Sequence, residues 1–421
     1  MSGSGRTSPA FGAGKGKALT LLAEARAFIA SAYACVCESE TVPTATRGTG
    51  FLAEDVRSPC DLPRFDAAAV DGIAVRRSDL VTGATTQLKL VGRAAAGHPF
   101  DGTVPPRSAV RIFTGAAVPD GCDAIVMQED CVFRDPLVFV DVREGQGSNI
   151  RRRGEDVMRD EVVLRKGTRM TPARWALAGA LGLTTVLLRR PLRVTVFSSG
   201  DEVTGAGSAL TAGLIRDANR PLLLAMIVAL GCDVRDGGIL PDDADRQVDL
   251  LHQAAAESDL LVTSGGMSEG EEDHLPGVIR RRGFLEIWKL AIKPGKPVGL
   301  GDIDDCPIVA LPGNPIAAAV TFSLLGNAVI ERLSGATPGT FTSPMRLPLA
   351  EAVSKKSGRF EAVPVTLVTA PGSATLARPV RKQGSAMLSS LADCTGFVGL
   401  PEDMTEAGEG DVVDYYPFAG A

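Results

Sequence analysis

The 421-residue sequence predicts an α/β multidomain protein. Its main unit is a three-layer αβα domain with a mostly parallel sheet, joined by a small inserted β-rich domain and a C-terminal β domain. Three observations lead there. From about residue 192 apolar strand-like runs alternate with helical segments, the pattern of a parallel sheet covered on both faces. Residues 86–145 instead carry short β-type runs split by Gly and Pro. After about residue 340 the helical spacing stops and short β-type runs return. A chain of this length exceeds one ordinary core, which agrees with several domains.

The elements follow in order. The opening "MSGSGRTSPAFGAGKGK" is polar and glycine-rich and reads as disordered, without the apolar core of a secretory signal. Residues 18–39 place apolar side chains at helical spacing and predict an amphipathic helix. "QLKLVGRAAAG", "SAVRIFTGAAVP", "DAIVMQED" and "LVFVDVR" are the runs of the β-rich unit. "RVTVFSS" predicts a buried strand. "RPLLLAMIVALG" predicts a helix, with Asn219 as N-cap and Gly231 as its C-terminal stop. Asp242 and Asp243 are candidate caps for the next helix, "ADRQVDLLHQAAAES". "DLLVTSGG" is a second strand, "LPGVIRRRG" a short helix, and "FLEIWKLAIKP" a further β-type run. "CPIVALPGNP" leads into the long helix "IAAAVTFSLLGNAVIERLSG". "FEAVPVTLV", "ATLARPV", "GFVGLP" and "DVVDYYPF" are the strands of the terminal β domain.

Composition excludes several functions. A net charge of −6 argues against a protein built to grip nucleic acid, because neutralising phosphates needs a basic excess. No apolar run reaches the ~18–20 residues of a membrane span. The nearest, "WALAGALGLTTVLL", reads as a buried helix. Eight scattered cysteines without a CxxC pair suit reduced, buried thiols in the cytoplasm. His98, His252 and His274 lack metal-ligand spacing. "FSSGDE" is not GxSxG, and "GAGKGKA" lacks the first glycine of a P-loop.

What remains is a crevice at strand ends, where open α/β sheets bind ligands. Gly200-Asp201-Glu202 follows one proposed strand, the acidic loop with Glu271, Glu272 and Asp273 follows the second, which ends in Ser264-Gly265-Gly266, and Pro312-Gly313-Asn314-Pro315 follows a third. Asp217 and Asn219 sit just before a helix start. Glycine lets backbone approach a ligand, and free N–H groups at turns attract anions. Carboxylates at neighbouring strand ends suit a hard cation such as Mg²⁺, which takes oxygen ligands and often bridges to phosphate. The composite expectation is a site for a phosphorylated ligand with Mg²⁺. Each piece alone reads equally as an ordinary turn or cap; their shared sheet edge carries the argument. Lys289, Lys293 and Lys296 in "WKLAIKPGKP" form a cationic loop, with Lys289 and Lys293 on one strand face, or else a solvated edge strand.

Taken together, "LPRFDAAAVDGIAV", "RIFTGAAVPDGCDAIVMQED", "NIRRRGEDV", "FSSGDEV", "RDANR", "TSGGMSEGEED", "WKLAIKPGKP" and "LPGNP" stand in the order found in the molybdopterin molybdenumtransferases, and from about residue 18 onward the chain resembles this MoeA-type family and the E domain of gephyrin. The resemblance implies that molybdate enters adenylylated molybdopterin with Mg²⁺, with release of AMP. It implies Asp71, Thr114 and Asp156 lining the site from the smaller domains, and Glu202 and Asp217 holding Mg²⁺. Ser264, Gly265 and Gly266 would cradle nucleotide or phosphate, with Asp273 facing the reacting end. Lys289, Lys293 and Lys296 would bind anions, and Pro312 and Pro315 would shape their loop. Arg359 and Ser385 would reach in from a β-barrel-like C-terminal domain. Glu269 and Glu272 are expected to be solvated, with Glu271 intermediate.

The implied domains are a disordered 1–17; the α/β molybdopterin-binding unit of 18–40 and 190–340; a linking unit of 41–67 and 150–189; the β-rich insert of 68–149; and the terminal β unit of 341–421. A cytoplasmic homodimer with composite sites is implied, with the adenylyltransferase that supplies substrate as a further partner, and with neither nucleic acid nor membrane. Ile73, Ala218, Met267 and Glu269 depart from the family pattern. A non-catalytic molybdopterin-binding scaffold or carrier, and a nucleotide hydrolase using the same crevice, are the competing readings.

Overall fold

In the computed structural model, residues 19–45, 48–81, 83–141, 148–267, 274–369, 375–381, 384 and 387–419 are described, with backbone only at 287 and 288. A six-stranded sheet organises the site. Its strands are Arg193–Ser199 (β1), Asp233–Leu240 (β2), Leu260–Ser264 (β3), Gly283–Lys289 (β4), Pro297–Ile303 (β5) and Cys306–Leu311 (β6). They lie in the order β2-β1-β3-β6-β5-β4. β2, β1, β3 and β6 run parallel, while β5 and β4 are antiparallel additions.

The sheet alternates its buried residues between two cores, as strand geometry requires. Val194, Val196, Val262, Val309 and Leu311 face one core, shared with helices Leu22–Ala32 (α1), Asn219–Ala229 (α2) and Pro315–Ser334. Phe197, Leu261, Ile308 and Ala310 face the other, shared with helices Ala244–Glu257 (α3) and Leu275–Arg282 (α4). The Pro315–Ser334 helix (α5) has 20 residues and is long and apolar enough by length and composition to cross a membrane, contrary to the reading from residue runs. Nearly all of it is buried against this core, so its apolar surface already has a protein partner.

Three further units flank the sheet. Residues 72–140 form a six-stranded sheet ordered Ala124–Met127, Gly72–Val75, Ser108–Ile112, Thr86–Ala94, Leu137–Val140, Cys131–Arg134, with apolar side chains on both faces. Strand pairs Ser39–Pro43 with Thr185–Arg189 and Val56–Arg57 with Val162–Leu164 pack with the helix Pro172–Ala180 around Leu52, Trp175 and Leu188. At the C-terminus, Phe360–Thr369 pairs with Gly396–Leu400 and Thr375–Pro379, and Val412–Pro417 joins Gly396–Leu400 to Met345–Pro348. A single parallel bridge from Leu349 to Ala377 links the ends of that path.

One local expectation fails: "WALAGALGLTTVLL" is not a buried helix, because the helix stops at Ala180 and Thr185–Arg189 is the strand paired with Ser39–Pro43. Three others need correction. The first helix ends at Ala32, and Ser39–Pro43 is already strand, because Thr41 and Val42 are captured by Leu187 and Val186. Asn219 is not an N-cap: it lies inside α2, whose cap is Ala218 without a side-chain bond. Third, "FLEIWKLAIKP" is two strands in two sheets. β4 ends at Lys289, and Ile292–Lys293 pairs parallel with Phe360 and Glu361 of the C-terminal sheet, so Lys289 and Lys293 share no strand face. Gly231, at φ +90, occupies the left-handed stop after α2 as its position suggested.

Candidate functional site

The parallel strands leave β1 in opposite directions, to β2 on one side and β3 on the other, which opens a crevice at their carboxyl ends. A cavity of about 880 Å³ sits there. It is lined from β1 by Ser198 through Glu202, from β3 by Ser264, Gly265 and Gly266, and from the β6–α5 turn by Pro312 through Pro315. Asp217 and Asn219 enter from the start of α2, and Leu388 from the C-terminal unit.

The strand ends are tied to one another. Asn219 Nδ2 donates to Ser264 Oγ at 2.8 Å and to the Gly313 carbonyl at 2.5 Å, while Ser264 Oγ donates to the Pro312 carbonyl at 2.9 Å. Two buried oxygens among these residues, Asn219 Oδ1 and Ser199 Oγ, have no hydrogen-bond partner. Asp201 and Asp242 bind each other's backbone N–H at 3.0 Å, while Asp243, not Asp242, caps α3 by accepting from Asp245 N and Arg246 N.

Gly265 has φ +91, and a Cβ there would stand 2.6 Å from the Ser199 carbonyl. Its glycine is therefore required by the turn itself, before any ligand is considered. Gly313 differs: a Cβ added there meets nothing closer than 3.7 Å. Gly200, at φ +130, lies under the Glu202 carboxylate, where a Cβ would come within 2.3 Å of Oε2.

Asp217 is almost fully enclosed, its side chain 3% exposed. Its Oδ1 accepts from Ser198 Oγ at 2.8 Å and from Arg220 N at 3.1 Å, and its Oδ2 from Arg220 Nε at 2.9 Å. The same guanidinium donates through Nη1 to Asp236. Burial works against the Arg220 charge, but the bonds to Asp217 and Asp236 outweigh it and raise its pKa.

The structure brings Glu202, Asp217, Ser264, Gly265, Gly266, Pro312 and Pro315 to one crevice. It groups the others elsewhere. Thr114 donates to Asp71 Oδ1 through its backbone at 2.8 Å and its hydroxyl at 2.7 Å, and these two bonds hold the Asp71 carboxyl below its usual range. This pair sits on the inserted sheet, outside the cavity lining. Asp156 is exposed, its backbone N–H bonded to the Leu62 carbonyl. Lys293 pairs with Glu361 at 2.8 Å and lines a neighbouring cavity of about 200 Å³ with Ile316 and Val363. Lys289 and Lys296 are exposed beside it in sequence. Arg359 precedes Phe360, whose N–H binds the Ala291 carbonyl at 2.7 Å, and so lies against the lysine loop. Asp273, Ser385, Glu269, Glu271 and Glu272 lie outside the described residues.

Sequence reasoning missed Asp242 as a wall of the crevice, Asn219 as its tie and Arg220 as the partner of Asp217. Asp242 follows the end of β2 and was legible by the strand-end rule. Arg220 was not, because its role depends on an ion pair reaching across to β2.

Other chemistries find no support at this site. Burial pushes the thiols of Cys37, Cys122, Cys131, Cys232 and Cys306 up to about 12, far from thiolate. His252 pairs with Asp304 at 2.7 Å in the β5–β6 turn, at the amino end of β6 and away from the crevice. For a cation the donors are oxygens. Among the described residues no three His, Cys, Asp or Glu converge. Glu202 and Asp217 bring carboxylate oxygens to the crevice wall, the donor type that Mg²⁺ takes one or two at a time beside water and phosphate.

Comparison with known proteins identifies the family. Residues 20–182 match the family model of the MoeA N-terminal region (domain I and II), 195–332 that of the "Probable molybdopterin binding domain", and 346–418 that of the MoeA C-terminal region (domain IV). The chain is 36% identical over 374 residues to the molybdopterin molybdenumtransferase of Haemophilus influenzae, covering 87% of this chain and 91% of that protein. It is 34% identical to the enzyme of the same name from Synechococcus elongatus, covering 88% and 92%. A crystal structure of the molybdopterin biosynthesis MoeA protein from Pyrococcus horikoshii OT3 superposes with a TM-score of 0.81 at 26% identity, covering 95% of this chain and all of that one. Carrying all three regions in order and matching such relatives over nearly their whole length, the chain belongs to the MoeA family of molybdopterin molybdenumtransferases.

Proposed function

We propose that this protein acts in molybdenum cofactor biosynthesis by inserting molybdate into adenylylated molybdopterin, releasing AMP and forming molybdenum-molybdopterin. The single observation that supports this reading best is the 880 Å³ crevice, in which carboxylates, a glycine turn and a helix start converge at one sheet edge. Its size suits a ligand of pterin, pyrophosphate and nucleotide together.

In this reading Gly266 and Gly313 present backbone to the phosphate or ribose, where side chains would stand in the way. Asn219 fixes the spacing of the strand ends, so the ligand meets a preformed surface. Glu202 and Asp217 would hold Mg²⁺, which when bound supplies positive charge against the phosphates. Lys289, Lys293 and Lys296 attract the anionic substrates, with Glu361 holding the Lys293 ammonium in place. Arg359 and Ser385 complete the anion side, and Asp273 orients the reacting end.

Asp71, Thr114 and Asp156 lie on units that do not wall this crevice. A homodimer in which the inserted sheet of one copy faces the crevice of the other would give them access, and we include it in the proposal. Eight cysteines free of disulfides suit the reducing cytoplasm, where we place the reaction. The C-terminal sheet, with its Leu349–Ala377 bridge, is read as barrel-like, the central unit as three-layered, and the domain limits as those set out from the sequence.

The test is AMP release from adenylylated molybdopterin by the purified protein, with and without Mg²⁺ and molybdate. Release that needs both is expected. Release without molybdate would mark a hydrolase, and none under any condition a carrier; either overturns the proposal.

A further inference from the structure

Asp217, the acid proposed to hold the ion, already has a cation. Its carboxylate is 3% exposed, and Arg220 reaches both of its oxygens, through the backbone N–H and through Nε. Arg220 is itself only 15% exposed and does not line the crevice; it stands behind Asp217, between that acid and Asp236 on β2. Asp236 is 52% exposed, and its Oδ1 also accepts from Gly238 N at 2.9 Å, so its carboxylate is fixed where Nη1 meets it. A guanidinium forks between two carboxylates in this way because its donors lie in one rigid plane.

We propose that Arg220 is a displaceable counterion that governs cation loading at Asp217, with Asp236 as the anion that receives it. Without a metal ion, Arg220 neutralises the enclosed acid and keeps it folded into the wall of the crevice. Glu202 and Asp217 would hold a divalent cation only in competition with Arg220, whose like charge already sits against the Asp217 carboxylate. Asp236 shifts that balance: it offers Arg220 an anion outside the crevice, so that releasing Asp217 does not strand a half-buried guanidinium. Loading would then follow the arrival of a ligand whose phosphates add to the attraction for the ion. Arg220 is in these terms a positioning residue, and the inference rests on the proposed assignment of Glu202 and Asp217 to the ion.

The test is Mn²⁺ binding in the substrate-free protein, read from the electron paramagnetic resonance signal of the free ion, with Mg²⁺ as competitor. Arg220→Gln removes the competing charge and keeps an amide donor toward Asp217, so Mn²⁺ affinity should rise by roughly tenfold, the scale of one charge removed within ~4–6 Å. Asp236→Asn, at an exposed position safe for folding, leaves Arg220 to Asp217 alone, and affinity should fall severalfold. Asp217→Asn should abolish the competed binding. Loss of binding in Arg220→Gln, or unchanged or tighter binding in Asp236→Asn, overturns the counterion role. Full Mn²⁺ binding in Asp217→Asn would instead overturn the metal assignment on which it rests. Should Arg220→Gln fail to fold, the Asp236→Asn result alone decides.

Discussion

Gly265 and Gly313 are neighbours in the floor of the crevice, and a methyl group added to each would meet different things. At Gly265 it would strike the Ser199 carbonyl at 2.6 Å, in a left-handed conformation that costs a non-glycine residue roughly 1–2 kcal/mol by itself. Gly265→Ala should therefore lower the melting temperature with no ligand present. At Gly313 the nearest atom is 3.7 Å away, so Gly313→Ala should melt as the parent does. If the proposed ligand lies over this turn, Gly313→Ala should still weaken its binding, by about tenfold in a calorimetric titration. Unchanged affinity there would place the ligand elsewhere. The same pair revises the sequence-level account of "TSGGM", in which both glycines were expected to serve the ligand. Gly265 is required by the fold whether or not it also meets the ligand, so the glycine of "LPGNP" is the better probe of close approach.

At the scale of elements, two acids adjacent in sequence separate cap from crevice. Asp243 caps α3 through two backbone N–H groups, whereas Asp242 lines the cavity opposite Asp201. Asp243→Ala should destabilise the protein by ~0.5–2 kcal/mol, the usual value of such a cap, and leave the proposed AMP release unchanged below the melting transition. A large loss of turnover would mean that the α3 start is coupled to the site.

The clamp at the opposite end of the sheet ties β1 to β3. Asp259, 8% exposed, accepts from Arg190 at 2.5 Å and from Arg193 at 2.9 Å. Burial alone would raise its pKa, but the bonds from both arginines outweigh it and hold the carboxyl well below the ordinary range. The sign follows: stability from this acid is complete above the unfolded pKa near ~3.9 and is lost as pH falls through the lower folded value. Asp259→Asn should therefore destabilise at neutral pH and flatten the acid limb of a stability–pH curve below about pH 4. Asp259→Ala should cost toward the lower end of the ~3–5 kcal/mol typical of breaking a buried pair, because Arg193 is half exposed and can rehydrate. An unaltered acid limb in Asp259→Asn would show that other carboxylates carry it.

At the scale of the whole molecule, the Asp71–Thr114 pair and the Asp217 crevice occupy different units of one chain. If two copies compose each site, Asp71→Ala and Asp217→Ala should each be inactive alone. Mixed under subunit exchange, they should recover about a quarter of the parent activity, since half the dimers are mixed and each of these holds one intact site of two. Exchange without recovery would place both groups in a site built by a single chain.

The sequence by itself determined the alternation of strands and helices, the turns that end β1, β3 and β6 at the sheet's carboxyl edge, and the family. Each of these is local: apolar period, turn residues and short ordered stretches are written in consecutive positions. Tertiary structure decided what depends on partners distant in the chain. It split "WKLAIKP" between two sheets, because Phe360 and Glu361 take Ile292 and Lys293 as a strand neighbour. It moved Asn219 from cap to cross-tie, because Ser264 and Gly313 stand within reach of its amide. It also set Arg220 behind Asp217, because Asp236 on the adjacent strand holds the other arm of the guanidinium. Side chains choose among such partners only once the sheet has fixed their distances, and the interval between Asp217 and Asp236 in the sequence carries no record of that choice.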